Sequence, residues 1–404
     1  MDKHYHHFHA IRYAHLRGWL NDKYNDLILA DTLRHLALAM ISLFIPIFLF
    51  KLGFTVAAVV FLELAMCVGC IVAHYFAIKY IPAWGVKKTL VISYVLNIIL
   101  YLLLYQASAL LLRVDRNVYL AIIAFFNVLA SAIYWTGHHV YFFKTTTAAN
   151  SGLKAGLITI VPTLAGIVSP FLGGLLISVY GFKTMFLTSA ILLAAAGGAL
   201  LFSQDINVEK SNLQWKKIFD LRRFGKNLIY FLEGVGFHAT SFFWPILLFL
   251  SAVKLASIGL LYLFSNLAFS VIGYYSGKFT DRGGNRRMIT IGSLGHGSSI
   301  ILRALATTVG AMTLWQTMGG TFGSILHIPL EAGFYKFSDR NDYYNAIMNR
   351  ELYMFSGRIF IVIVFLLVLS RASVIATMII TLVVAGFSSF GIGLIARYDR
   401  SIVS

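Results

Sequence analysis

The sequence has little charge and almost no cysteine. Asp, Glu, Lys and Arg make up 12% of the 404 residues, whereas soluble domains carry roughly a quarter. Together with a mean hydropathy of +0.78, this scarcity excludes a water-soluble globular protein. The two cysteines, Cys67 and Cys70, lie in an apolar stretch. We expect them to pack between helices, and we predict neither a disulfide framework nor a zinc site.

Sequence signatures of enzymes are missing as well. The chain contains no HExxH or GxSxG motif, on which zinc proteases and serine hydrolases depend. We therefore predict that the protein is not an enzyme and has no cofactor. A cleavable secretory signal is not expected either, because the first 29 residues are polar and rich in histidine.

Long apolar runs dominate the chain instead. A helix needs about 20 apolar residues to cross a bilayer, and the runs lack the ten-residue alternation of membrane barrels. We therefore predict an all-α polytopic membrane protein with twelve transmembrane helices. The predicted spans are residues 30–51, 54–78, 88–112, 117–142, 152–179, 184–203, 227–251, 255–276, 288–309, 311–334, 352–370 and 374–396.

A polar stretch in the middle of the chain separates six predicted spans from six. Most of the 33 Lys and Arg residues then fall on one side of the membrane, which predicts that both termini are cytoplasmic. The net charge of +17 thus indicates contact with membrane lipids rather than nucleic acid, and we expect a plasma (inner) membrane protein. The predicted parts are a cytoplasmic His-rich segment 1–29, a six-helix bundle 30–203, a cytoplasmic linker 204–226, a second six-helix bundle 227–397 and a tail 398–404.

A basic, glycine-containing loop, GKFTDRGGNRR, lies between two apolar runs at residues 277–287. It resembles the signature loop of the major facilitator superfamily, a family of transporters built from two six-helix bundles. The resemblance implies a latch between the bundles, with Glu331 as partner of Arg282 or Arg286; a simple positive-inside hairpin is the alternative. The matching residues are Gly277, Asp281, Arg282, Gly284, Arg286 and Arg287.

A second stretch, AGIVSPFLGG, resembles the antiporter motif of the same family. In the family this motif is associated with exchange of drugs for protons, so the resemblance implies export. Small residues and a proline also suit close helix packing, which is the alternative interpretation. The matching residues are Ala165, Ser169, Pro170, Gly173 and Gly174.

Only two acids lie well inside predicted spans, Glu63 and Glu233. A charged side chain at the bilayer centre costs about 2.5–3.5 kcal/mol on insertion scales, so such residues are functional candidates. Both are candidates for proton coupling, because a buried carboxyl group can take up and release a proton. The alternative is a structural acid held by hydrogen bonds.

Several polar and aromatic residues, in the span of Glu233 and in other spans, can line a binding site with Glu233. As a set they predict an aromatic, mildly polar pocket with little fixed charge, suited to a neutral or cationic amphiphile. The substrate-binding candidates are Asn127, Tyr134, Trp135, His238, Trp244, His296 and Gln316.

The function predicted from these features is secondary active transport of a small amphipathic or aromatic molecule, by a monomer. We expect alternating access and proton-coupled export. Uptake or facilitated diffusion of a polar nutrient is a second possibility, and a non-transporting receptor or assembly factor a third. Transition-metal export is a fourth, suggested by the histidines of the N-terminal tail, His4, His6, His7, His9 and His15.

Overall fold

The computed structural model describes residues 25–145, 151–202, 205–206, 208–281, 285–337 and 342–398. Within these residues, all regular secondary structure is helical. Helices satisfy every backbone hydrogen bond internally, which a bilayer core requires of an apolar chain. The histidines of the N-terminal tail lie outside the described residues.

The first half of the chain forms long helices connected by short turns. A single 3₁₀ turn, Ser42–Phe44, joins α1 to α2, and Gly85, with φ of +80°, separates α3 from α4. The helices are α1 Asn25–Ile41, α2 Ile45–Lys51, α3 Val56–Trp84, α4 Val86–Tyr105, α5 Ala107–Leu110, α6 Arg116–Thr145 and α7 Ser151–Phe202.

The second half follows a polar connection that contains the short helix α8, Trp215–Ile218. Between α9 and α10, the five residues Ala239–Phe243 form a π-helical segment. Such π-segments are found frequently at functional sites. The remaining helices are α9 Phe224–His238, α10 Trp244–Leu250, α11 Leu255–Asp281, α12 Asn285–Leu305, α13 Val309–Phe337, α14 Tyr343–Leu369 and α15 Val374–Tyr398.

Nine segments of the described chain are long and apolar enough to cross a membrane. Two of the predicted spans merge within α7, where Gly181 has a non-helical backbone with φ of +84°. Two others, in α12 and α13, are helical but are not among the nine. The architecture of membrane helices is therefore confirmed, whereas the count of twelve stays a prediction.

The antiporter-like motif lies where three helices approach one another closely. A Cβ atom at Gly173 would overlap the backbone carbonyl of Met40 on α1, and one at Gly174 would lie 2.5 Å from the Leu255 carbonyl on α11. A Cβ atom at Gly259 on α11 would in turn overlap the backbone carbonyl of Pro170 on α7. Small residues let membrane helices pack at such short range. The motif thus joins α7 to a helix of each half.

Candidate functional site

A cavity of about 450 Å³ lies between the two halves of the molecule. Its walls come from α1, α2, α3, α4 and α6 in the first half, and from α9, the π-helical segment and α14 in the second. Most lining residues are apolar or aromatic. A cavity of this size, with a few polar groups, is typical of small-molecule sites. Its polar and charged lining residues include Arg34, His35, Glu63, Asn97, Asn127, Ser131, His238, Ser241 and Arg358.

Glu63 is the acid in this lining, and it faces the second half across the cavity. Its Oε1 lies 3.7 Å from His238 Nε2 and 3.9 Å from Cys67 Sγ. His238 is 4% exposed, and its Nε2 has no hydrogen-bond partner among the described residues. The Cys67 thiol, expected to serve packing alone, belongs to this polar group. Proton-accepting side chains of both halves therefore meet here.

Arg34 and Arg358 also line the cavity, one from each half. The Arg34 guanidinium lies over the Tyr134 ring, and that of Arg358 lies 4.3 Å from the ring centre of Phe355. This corrects the expectation of little fixed charge. The sequence places both residues on membrane helices, but it does not reveal that both turn toward the same space.

A cluster of buried ionisable groups joins the two halves beyond the cavity. Glu351 on α14 lies between two histidines of the first half, with Oε2 3.6 Å from His74 Nε2 and Oε1 3.3 Å from His139 Nε2. All three are less than 7% exposed. Charges buried this deeply are found paired, because desolvating an unpaired charge is costly. These contacts therefore hold α3 and α6 against α14.

Further polar contacts extend this arrangement along the same seam. His139 Nδ1 lies 2.7 Å from the Tyr335 hydroxyl on α13. Arg350 Nη2 donates to Glu331 Oε2 at 2.5 Å, and Arg350 Nη1 lies 3.4 Å from His139 Nε2. The halves are thus bound by one continuous polar network. We call His74, His139, Glu331, Tyr335, Arg350 and Glu351 the seam cluster.

Among the described residues, Glu331 pairs with Arg350, which is not one of the two partners expected. The sequence suggests a pair with Arg282 or Arg286, but Arg286 is exposed and Glu331 is turned toward Arg350 on α14. Arg282 and Gly284 of the signature loop lie outside the described residues, as does the side chain of Asp281. Gly277 has open space around it, and Arg287 is exposed. The gating role of the loop stays a prediction.

Glu233, the other candidate for proton coupling, does not line the cavity. Its Oε1 lies 3.0 Å from His327 Nδ1 on α13. The His327 ring lies 5.4 Å from that of His296, whose Nδ1 is 3.4 Å from the Ser389 hydroxyl. These four residues form a polar chain within the second half. Glu233 thus has a hydrogen-bonding partner of its own, and its role stays a prediction.

The substrate-binding candidates divide between the cavity and the helix interiors. Asn127, Trp135 and His238 line the cavity. Tyr134 donates to Asp31 Oδ1 at 2.6 Å instead. The other three do not reach the cavity: His296 belongs to the chain around Glu233, Trp244 is fully buried, and Gln316 accepts from Arg303.

Sequence reasoning missed His74, His327, Glu351 and Arg358. A general signal was available, because ionisable residues within apolar spans are rare and functional by default. Arginines near span ends also fit the positive-inside pattern, and histidines within spans carry no fixed charge, so neither residue type stands out in the sequence. Which of these residues contact one another across distant helices is visible only in the structure.

The helical bundle and the inter-half cavity together indicate a polytopic membrane protein with an internal cavity. The family model of the Major Facilitator Superfamily matches residues 27–330, three quarters of the chain. The protein therefore belongs to this superfamily of membrane transporters, as the signature loop suggested.

Solved structures agree with this assignment. The crystal structure of the nucleoside transporter NupG superposes with a TM-score of 0.65 at 15% identity, covering 94% of this chain and 100% of that one. A POT family transporter in complex with a thioalcohol-conjugated peptide superposes with a TM-score of 0.67 at 11% identity, covering 92% and 94%. At these identities the likeness shows the fold alone. No curated protein matches the sequence.

Proposed function

We propose that the protein is a secondary active transporter that carries a small amphipathic or aromatic molecule by alternating access. The observation that carries the proposal is the cavity of about 450 Å³ lined by both halves, with the seam cluster closing the interface beyond it. Relative motion of the halves would open the seam and expose the cavity to the other side. Alternating access in transporters works by such rocking around a fixed site.

The topology that this mechanism needs follows from the helix pattern. We propose that the chain crosses the membrane twelve times, with α7 crossing twice around Gly181 and with α12 and α13 crossing inside the bundle. The seam cluster then lies on the cytoplasmic side, where the positive-inside rule places both termini. In this arrangement the structure is closed toward the cytoplasm.

Glu63 is our preferred site of proton coupling. Its carboxylate lies in the cavity wall and within 3.7 Å of His238 from the other half, so its protonation changes an interaction between the halves. Glu233 remains the second candidate, because its contact with His327 is confined to the second half. Export, favoured by the antiporter-like motif, stays a prediction, since Gly173 and Gly174 also serve close packing.

The experiment that tests this function begins with a thermal-shift screen of amphipathic and aromatic compounds on purified protein at two pH values. Hits are then tested for uptake into proteoliposomes under pH gradients of either direction. We expect gradient-dependent transport that Trp135→Phe weakens and Trp84→Phe does not, because Trp135 lines the cavity and Trp84 does not. Hits that bind but never cross the membrane would favour a receptor instead.

A second candidate function is transport of a divalent transition metal. Glu63, Cys67 and His238 offer ligand atoms that all lie within 4.8 Å of one another, and such a mixed set suits zinc or cobalt. Arg358 interacts electrostatically with Glu63, which disfavours a bare cation there. If metal is the cargo, Cys67→Ser should abolish Zn²⁺ binding in calorimetry, while Cys70→Ser, one turn along the same helix, should leave it intact.

A further inference from the structure

We infer that the transported molecule carries an anionic group, and that this group binds in the cavity to the guanidinium groups of Arg34 and Arg358. The inference rests on the proposed transport function and narrows its substrate class to organic acids. Two positively charged side chains lie in the cavity wall, and neither forms an ion pair among the described residues.

Arg34 is the first of these charges. It is 4% exposed, and its Nε has no hydrogen-bond partner among the described residues. The acid one turn earlier, Asp31, accepts from the Tyr134 hydroxyl at 2.6 Å and lies 3.5 Å from His35 Nδ1. Asp31 is therefore engaged elsewhere. The Arg34 guanidinium lies over the face of Tyr134. It interacts electrostatically with Asp31 but forms no ion pair within the described chain.

Arg358 is the second charge, on the opposite half. Its guanidinium packs between the rings of Phe237 and Phe355, at 5.0 and 4.3 Å from their centres, and its Nε is buried without a hydrogen-bond partner among the described residues. Glu63 interacts with it electrostatically but forms no ion pair with it within the described chain. Protonation of Glu63 would leave Arg358 without a balancing charge.

Unpaired guanidinium groups in a low-dielectric wall favour an anionic ligand. Charge-assisted hydrogen bonds to carboxylates are strong and directional, and Arg matches their geometry better than other residues. The rest of the lining, including Trp135, Tyr101 and Phe242, suits an apolar or aromatic body. An aromatic or aliphatic carboxylate meets both requirements. Because the two arginines belong to different halves, binding such a group would also link the halves.

The test compares three probes with one ring system on the purified full-length protein: naphthalene-2-carboxylate, its neutral carboxamide and the protonated naphthylmethylamine. Calorimetry at neutral pH should show the carboxylate binding about tenfold or more tightly than either analogue. Arg34→Gln and Arg358→Gln should each weaken carboxylate binding by about tenfold or more, as expected for a lost charged hydrogen bond. Arg371→Gln, an exposed site in the turn after α14, should leave it unchanged.

Arg34→Lys and Arg358→Lys keep the positive charge, so they should bind the carboxylate more tightly than the Gln variants do. Melting curves of all variants show whether any loss of affinity comes from a folding defect. The inference is overturned if the amide or amine binds as tightly as the carboxylate, if no carboxylate binding is detected, or if both Arg→Gln variants bind it normally. Amide binding that Trp135→Ala removes would overturn only the substrate class. The transport function itself fails on a separate result, the absence of alternating accessibility in the cavity.

Discussion

The cavity and the seam cluster are both buried, both polar and both shared between the halves, yet their charges are arranged differently. In the seam cluster, Glu351 lies between two histidines and Arg350 is paired with Glu331. Both regions contain buried nitrogens without a hydrogen-bond partner in the described chain, such as Nε2 of His74 and Nε of Arg34. In the cavity, however, Arg34 and Arg358 interact electrostatically with Asp31 and Glu63 but form no ion pair among the described residues. The acids of the seam cluster are thus paired within the protein, whereas the two arginines of the cavity are not.

This difference indicates two roles. Paired buried charges contribute to one defined arrangement of the halves, since removing either partner is costly. Unpaired buried groups are costly as they stand, and a ligand or a proton can relieve that cost. We therefore assign closure to the seam cluster and recognition to the cavity. Two substitutions test this division, and a third, outside both regions, provides a comparison; they follow in order of decreasing expected effect.

The largest effect is expected from Glu351→Gln. It removes the carboxylate that lies within 4 Å of both His74 and His139, and a hydrogen bond to a charged group contributes about 1.5–3 kcal/mol. We expect the closed seam to lose population strongly, seen as faster hydrogen exchange at the inner ends of α3 and α6. The matched control is Glu209→Gln, because Glu209 pairs with Lys144 at 3.1 Å but is 78% exposed, so about 0–1 kcal/mol is expected. Equal exchange in the two variants would contradict the closing role.

An intermediate effect is expected from Glu63→Gln when compared with Glu233→Gln. Glu63 lies in the cavity wall and Glu233 does not, so the first variant should lose accumulation of substrate driven by a pH gradient while retaining exchange without a gradient. The second variant should keep most gradient-driven accumulation in the same proteoliposomes. The reverse pattern would transfer the coupling role to the chain formed by Glu233 and His327.

The smallest effect is expected from Gly173→Ala, which lies outside both regions. The added methyl group would meet the Met40 carbonyl, and overpacking of this kind costs about 1–3 kcal/mol. Gly166→Ala on the same helix is the control, since nothing lies within 4 Å of its added atom. Thermal melting in detergent should separate the two variants. An equal loss of melting temperature in both variants would mean that close packing against Met40 does not set the stability at this site.

The fold was largely predictable from the sequence, because bilayer crossing imposes length and apolarity on each helix. The rule is weaker for a helix that is shielded from lipid by other helices, because such a helix can carry more polar residues. α12 and α13 are not among the nine apolar segments, and they carry polar residues such as His296 and Gln316 in buried positions. The break in α7 at Gly181 lies between the predicted spans 152–179 and 184–203, close to the polar residues Lys183 and Thr184.

The candidate site was predictable only in part. Glu63, Asn127 and Trp135 could be selected one by one as polar or aromatic residues in apolar spans, and all line the cavity. Contacts between remote residues could not be predicted in this way. Glu351 contacts His74 and His139 only because α14 packs against α3 and α6. No sequence pattern around any of these residues predicts that contact.

The most direct measurement is the accessibility of a cysteine introduced by Ser131→Cys, a position in the cavity wall. Cys67 and Cys70 are replaced by alanine in this protein, so that only the introduced thiol reacts. A membrane-impermeant maleimide is applied to right-side-out and inside-out vesicles, with and without Glu351→Gln. We predict labelling from the outer face when the seam cluster is intact and added labelling from the cytoplasmic face once Glu351 is changed. If the proteins with and without Glu351→Gln are labelled from the same single face, the seam cluster does not close the cavity. That result would also contradict alternating access.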